Sequence, residues 1–212
     1  MHPAKPHHAN HRDDAPPSLD DGDEWSEVTA ERDYVGASAD NVAWSDVVAR
    51  GGRWSGVTIE GFQGTDVRFE NCDLAGLVLQ GDVSLRRVEF VGCRMTGAVL
   101  AGAHLRHVRF ASCVLDDTNL RMLDAQHVAF DGCSLLAADL YAAKLAKVTL
   151  AQCDLRGAEL TKATFTDVDL RTSRLEDVKG ADALRGATLD SVQVLSVAHS
   201  LALALGIKIV DD

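Results

Sequence analysis

The sequence predicts an all-β protein, a quadrilateral β-helix of about seven coils ended by a short C-terminal α-helix. Three regularities predict it: a large apolar residue every five positions, a small or β-branched residue two places before it, and a cysteine every twenty. Leu85, Phe90, Met95, Leu100, Leu105, Phe110, Leu115 and Leu120 keep the five-residue step without a gap, and it resumes from Phe130 to Leu175. Val88, Cys93, Ala98, Ala103, Val108 and Cys113 are the small partners in the first run. A period of five fits neither the helix nor the strand, so the chain must turn a corner at every pentad.

The longer period sets the number of corners. Cys72, Cys93, Cys113, Cys133 and Cys153 are separated by 21, 20, 20 and 20 residues, and Phe69, Phe90, Phe110 and Phe130 repeat the same steps. Four pentads per coil make a four-sided tube in which each cysteine lies over the last at about 4.8 Å, the spacing between hydrogen-bonded strands. The single step of 21 places a one-residue insertion between Leu79 and Leu85, which a bulge absorbs. Inside the tube two inward positions share a fixed volume, so a large residue at one requires a small one at the other. Leu123 and Ala125 exchange sizes without breaking the phase, as that constraint demands. The other three positions of each pentad face water.

The segments CDLRGAEL (153–160), AADLYAAKL (137–145) and CDLAGL (72–77) resemble the A(D/N)Lxx motif of the pentapeptide-repeat family, and the resemblance covers roughly residues 42–190. It implies that the β-helix is right-handed. The gyrase-interacting, fluoroquinolone-resistance type of bacterial member presents an acidic rod of DNA-like dimensions to DNA gyrase or topoisomerase IV. Such members also dimerise through a C-terminal element. That branch usually carries long loops projecting from the coils, and this chain has none.

Around the repeat, residues 1–24 hold all four prolines, His2, His7, His8 and His11, and the acids Asp20, Asp21, Asp23 and Glu24, a composition expected of a disordered tail. Residues 25–41 are expected to cap the first coil, with Trp25 and Tyr34 as covers, and weak pentads start near Val42 and Trp44. The repeat occupies 42–190, slipping by one residue between Leu175 and Leu184. Residues 191–212 follow helical spacing, with Asp190 or Ser191 as start signal and Gly206 as stop, before a short strand at Ile207, Ile209 and Val210. So apolar a helix needs cover, and Val194, Leu195, Val197, Ala198, Leu201, Leu203 and Leu205 form the candidate homodimer interface.

The formal net charge of −11 is concentrated at the N-terminus: residues 1–41 hold ten acids against three bases, and residues 42–212 hold 22 acids against 18 bases. A body of mixed sign argues against direct nucleic-acid binding. No apolar run is long enough for a membrane span and the N-terminus lacks a secretory signal, so a cytoplasmic protein is expected.

No nucleophile elbow, phosphate loop, paired zinc motif or compact acid pair is present, so catalysis has no candidate residues and no cofactor or metal is expected. The cysteines read as a reduced, buried ladder in place of a metal or redox centre. Asp139 and Glu159 stack one coil apart on the third face, with Asp116, Asp117 and Asp154 near that edge, and these five form the candidate acidic binding surface. His104, His107 and His127 lie beside Arg86, Arg87, Arg106 and Lys147 as a modest basic stripe, which reads as solvated surface.

Overall fold

The computed structural model describes residues 15–210. Strands β1 (Glu24–Ala30), β2 (Ser38–Arg50), β3 (Thr58–Glu70), β4 (Val78–Val91), β5 (His104–Arg106), β6 (Arg109–Ala111), β7 (Asp124–Asp131), β8 (Lys144–Ala151), β9 (Thr164–Asp169) and β10 (Ala187–Thr188) precede one helix, α1 (Ser191–Ala204). All pairings are parallel, each coil bonding to the one before and after it, with β5 and β6 both lying between β4 and β7. The result is a right-handed, four-sided β-helix of about eight coils, one more than the pentads predict.

The extra coil comes from the N-terminus. β1 is already part of the solenoid, with Trp25 opposite Trp44 and Ala30 opposite Ala49. The 19-residue step between these pairs, and tryptophan in place of leucine, hide the coil from a search for period twenty. Residues 25–41 are therefore coil as well as cap. The described part of the expected tail belongs to the fold: Ala15 and Leu19 are buried over the open end, and the Tyr34 hydroxyl donates to the Pro16 carbonyl at 2.6 Å. His2, His7, His8 and His11 lie outside the described residues.

The core obeys the volume rule. Phe69, Phe90, Phe110 and Phe130 stack face to face with centroids 4.9, 4.8 and 4.7 Å apart. Leu123 and Ala125 are both fully buried in their exchanged places. A second exchange occurs three coils earlier, where Phe62 fills the small position and Gly64 stands where the large residue belongs. A Cβ on Gly64 would lie 3.2 Å from both Phe62 and Leu85. The insertion in the 21-residue step is absorbed at a register shift between β3 and β4, past Gly61 and Gly81.

Each end of the thiol column is finished by a different residue type. Gly52 precedes Cys72, and a Cβ there would meet the Arg32 carbonyl at 2.3 Å and the Trp54 indole nitrogen at 2.9 Å. Trp25 stacks on Trp44 at 4.6 Å and Tyr34 on Trp54 at 4.2 Å, filling the first coils with rings. One coil beyond Cys153, Ser173 donates its hydroxyl to the Leu150 carbonyl at 2.8 Å. Beyond that, Gln193 of α1 donates to the carbonyls of Leu170 at 2.6 Å and Ser173 at 2.7 Å.

The helix begins at a capping box between Asp190 and Gln193. It ends at Gly206 in a Schellman arrangement, with the Ile207 amide donating to the Ala202 carbonyl and the Gly206 amide to Leu203. Beyond that turn Ile207, Ile209 and Val210 form no strand.

The shared interior volume and the hydrogen bonds of Gln193 each set an expected outcome. Leu123→Ala leaves two alanines on one side of one coil and is expected to cost about 2–5 kcal/mol, whereas Leu123→Ala with Ala125→Leu recovers most of that loss, both read by urea unfolding. Gln193→Ala leaves the buried Ser173 carbonyl without its donor and the Leu170 carbonyl with only the Ser173 amide, and is expected to lower stability by about 2 kcal/mol, with faster proteolysis of α1 than of the coils.

Candidate interaction surfaces

Because successive coils are in register, a surface residue is set beside its counterparts twenty residues away. On the second face Arg53 pairs with Asp33 at 2.8 Å and Arg94 with Asp73 at 3.7 Å, an alternation of sign from coil to coil. On the first face Arg50 bridges to Glu70 at 2.8 Å, Arg68 contacts both Glu70 and Glu89, and Arg109 pairs with Asp131 at 3.0 Å. Such half-exposed pairs contribute little to stability, but they cancel the field that either sign would project.

Of the five predicted acids, Asp139 and Asp154 fall into this pattern. Asp139 lies next to Glu159 in the bridge column of the third face, as the spacing requires, and Asp154 stands on the adjoining second face. Asp139 is held by Arg121 at 2.8 Å, and Glu159 accepts from the Thr161 amide at 2.8 Å. Asp154 is chelated by Arg156 at 2.7 Å and approached by Arg174 at 3.6 Å. Its hydrogen bond to Arg156 holds its carboxyl below the usual carboxylate range. Asp116 accepts from the Ser134 hydroxyl and, at 3.1 Å, from the Leu136 amide, while Asp117 is exposed at the corner. The structure thus brings Asp139 and Glu159 together, but Arg121, Arg156 and Arg174 interleave the group. Sequence spacing alone located the acids and missed these partners, which stand one coil away or two residues on.

The third face also carries Tyr141, with the Arg121 guanidinium over its ring at 4.4 Å and Lys162 donating to its hydroxyl at 2.6 Å. The cysteines are all buried and reduced, and four of them donate to the carbonyl of a residue in the preceding coil at 3.3–3.4 Å. Cys93 and Cys133 are pushed up by their hydrogen bonds to the neighbouring Cys113 thiol and by burial, so they stay protonated. Among the described residues no cluster of His, Cys, Asp and Glu has metal-binding geometry.

At the C-terminal end α1 docks through Gln193 and Val197, both buried, with Leu201 half-buried. Val197 therefore belongs to the protein's own core and is closed to a partner. Val194, Leu195, Leu203 and Leu205 are 49–78% exposed, and Ala198 is also exposed. Val192, Ile207, Ile209 and Val210 extend this apolar surface.

The family model described as "Pentapeptide repeat region" matches residues 62–131 and 108–180, over half of the chain. The chain belongs to the pentapeptide repeat family. Among solved structures of such proteins, trypsin-treated QnrB1, a plasmid-mediated fluoroquinolone resistance protein, matches 92% of this chain and 99% of its own at 21% identity and a TM-score of 0.50. HetL, a pentapeptide repeat protein involved in heterocyst differentiation regulation from the cyanobacterium Nostoc sp. strain PCC 7120, matches 81% of this chain and 91% of its own at 16% identity and a TM-score of 0.35. No curated protein sequence matches the chain. Membership accounts for the pentads and for the four-sided fold.

The thiol ladder yields a chemical prediction. A thiol-specific alkylating reagent should leave all five cysteines unmodified in the native pentapeptide repeat protein and modify all five in denaturant, as read by intact mass.

Proposed function

We propose that this pentapeptide repeat protein is a non-enzymatic binding rod, paired end to end through α1, whose sides recognise a protein partner. The observation that carries the reading is the apolar face left by α1: Val192, Leu195 and Leu205 are 73, 78 and 70% exposed beside a filled core. Exposed apolar surface of this kind marks an interaction site, and the end of a solenoid needs a cover. Isologous pairing of α1 provides both. The sides support recognition differently. They are rigid, and their charges, being largely paired, leave specificity to shape and to local groups such as Tyr141 between Arg121 and Lys162.

A second, narrower reading is that the partner is DNA gyrase or topoisomerase IV. Its support is the fold shared with QnrB1 over almost the whole of both chains. Interleaved arginines weigh against a continuous acidic row of the kind DNA mimicry needs.

Analytical ultracentrifugation should find twice the 22.7 kDa chain mass, and Leu195→Glu with Leu203→Glu should give a monomer with an unchanged circular dichroism spectrum. A monomer at all concentrations in the unaltered protein would remove the pairing. In a gyrase supercoiling assay containing a quinolone, the topoisomerase reading expects added protein to restore activity, and indifference of the enzyme at micromolar protein would refute it.

A further inference from the structure

The tube is not filled evenly along its length. Gly64 stands at the large inward position of the fourth face between Trp44 and Leu85, so one coil lacks the side chain that its neighbours supply there. Two residues partly compensate. Phe62 turns into the core from the small position of the same face, and Leu77 adds bulk on the third face, where the adjoining coils carry Val57 and Ala98. A void nevertheless remains, walled from all four faces by residues that include Trp44, Trp54, Phe62, Phe69, Leu77 and Leu79.

Ring geometry accounts for the gap. From Phe69 to Phe130 the rings lie parallel with centroids 4.7–4.9 Å apart. Around the void they cross instead: Trp44 meets Phe62 at 5.2 Å and 86°, and Trp54 meets Phe69 at 6.5 Å and 87°. Crossed rings touch by an edge, and the space beside that edge must be filled by another side chain or stay open.

The chemistry of the wall decides what can enter. All six of those residues are at most 5% exposed, which separates the void from solvent. Only apolar atoms face it. The indole nitrogens of Trp44 and Trp54 have no acceptor among the described residues, but neither reaches the surface of the void, and that of Trp54 is directed at the wall beside Gly52. A water placed inside would lose its hydrogen bonds and gain none, so the void is dry. Wall atoms that face empty space lack dispersion partners, and a polarizable apolar guest restores them.

We infer that this void is an internal binding site for a small apolar gas molecule, with xenon as its probe. The centre of a water-sized sphere is free over about 20 Å³ inside it, so the space exceeds one water and admits a single larger apolar atom. Aromatic walls favour a polarizable guest over a polar one. The site depends neither on pairing through α1 nor on recognition of a partner by the sides of the rod.

The test is methyl NMR of the full chain under increasing xenon pressure. Saturable shifts are expected at the methyls of Ile59, Leu74, Leu77 and Leu79, which belong to the wall, and not at those of Leu135 and Leu155 in the regular coils. Leu77→Ala enlarges the void and should bring saturation at lower pressure. Leu79→Phe fills it and should abolish the saturable shifts at Ile59 and Leu74, with thermal melts confirming that each variant is folded. Equal shifts at wall and distant methyls, an unchanged response in either folded variant, or a nuclear Overhauser contact from a bound water to the Ile59 methyls would overturn the assignment.

Discussion

Constant interior volume per coil is the constraint from which the rest of this protein follows. The tube is held at one cross-section by continuous parallel hydrogen bonding, so no coil can swell or shrink to suit its own side chains. Phenylalanine rings stack on one side for four coils because each leaves the same space for the next. Where a coil changes one inward residue it changes the other, as at Phe62 with Gly64 and Leu123 with Ala125. Gly52 obeys the same rule, since the Trp54 indole and the Arg32 carbonyl already occupy the space a cysteine would need.

Register carries this constraint to the outside. A residue at a corner meets its equivalents one coil away, so the surface is a set of columns whose composition is written at intervals of about twenty residues. On the second face Asp33, Arg53, Asp73 and Arg94 alternate acid and base and are paired, whereas on the third face Asp139 and Glu159 are neighbours of one sign. The corner through Arg87, His107, His127 and Lys147 sets four basic residue types in succession, with Arg87 held by Asp66 and the two imidazoles stacked.

The two ends solve a different problem, because a coil there has a neighbour on one side only. At the N-terminus Trp25, Tyr34, Trp44 and Trp54 fill the tube with rings, and Ala15 and Leu19 close it. At the C-terminus Gln193 supplies the donors that the missing coil would have given, and Val197 covers the core. Using those residues of α1 for closure, with Leu201 half-buried beside them, leaves Val192, Val194, Leu195 and Leu203 facing outward, which is why an end cap and an exposed apolar surface coexist on one short helix.

The sequence by itself determined the number of sides, the phase of both inward positions, the site of the one-residue insertion, the burial of the thiols and the start and stop of α1. Each of these depends on local spacing or on a volume that repeats along the chain, and periodicity records both. Only the tertiary structure decided that the solenoid begins at β1, since a 19-residue step between Trp25 and Trp44 breaks the period while preserving the contact. It likewise decided that Val197 faces inward, and that Asp139 and Asp154 are neutralised by Arg121, Arg156 and Arg174. Those outcomes turn on which long side chain reaches which neighbour across a coil or an end, and a repeat fixes where a side chain is rooted without fixing where its charged end comes to rest.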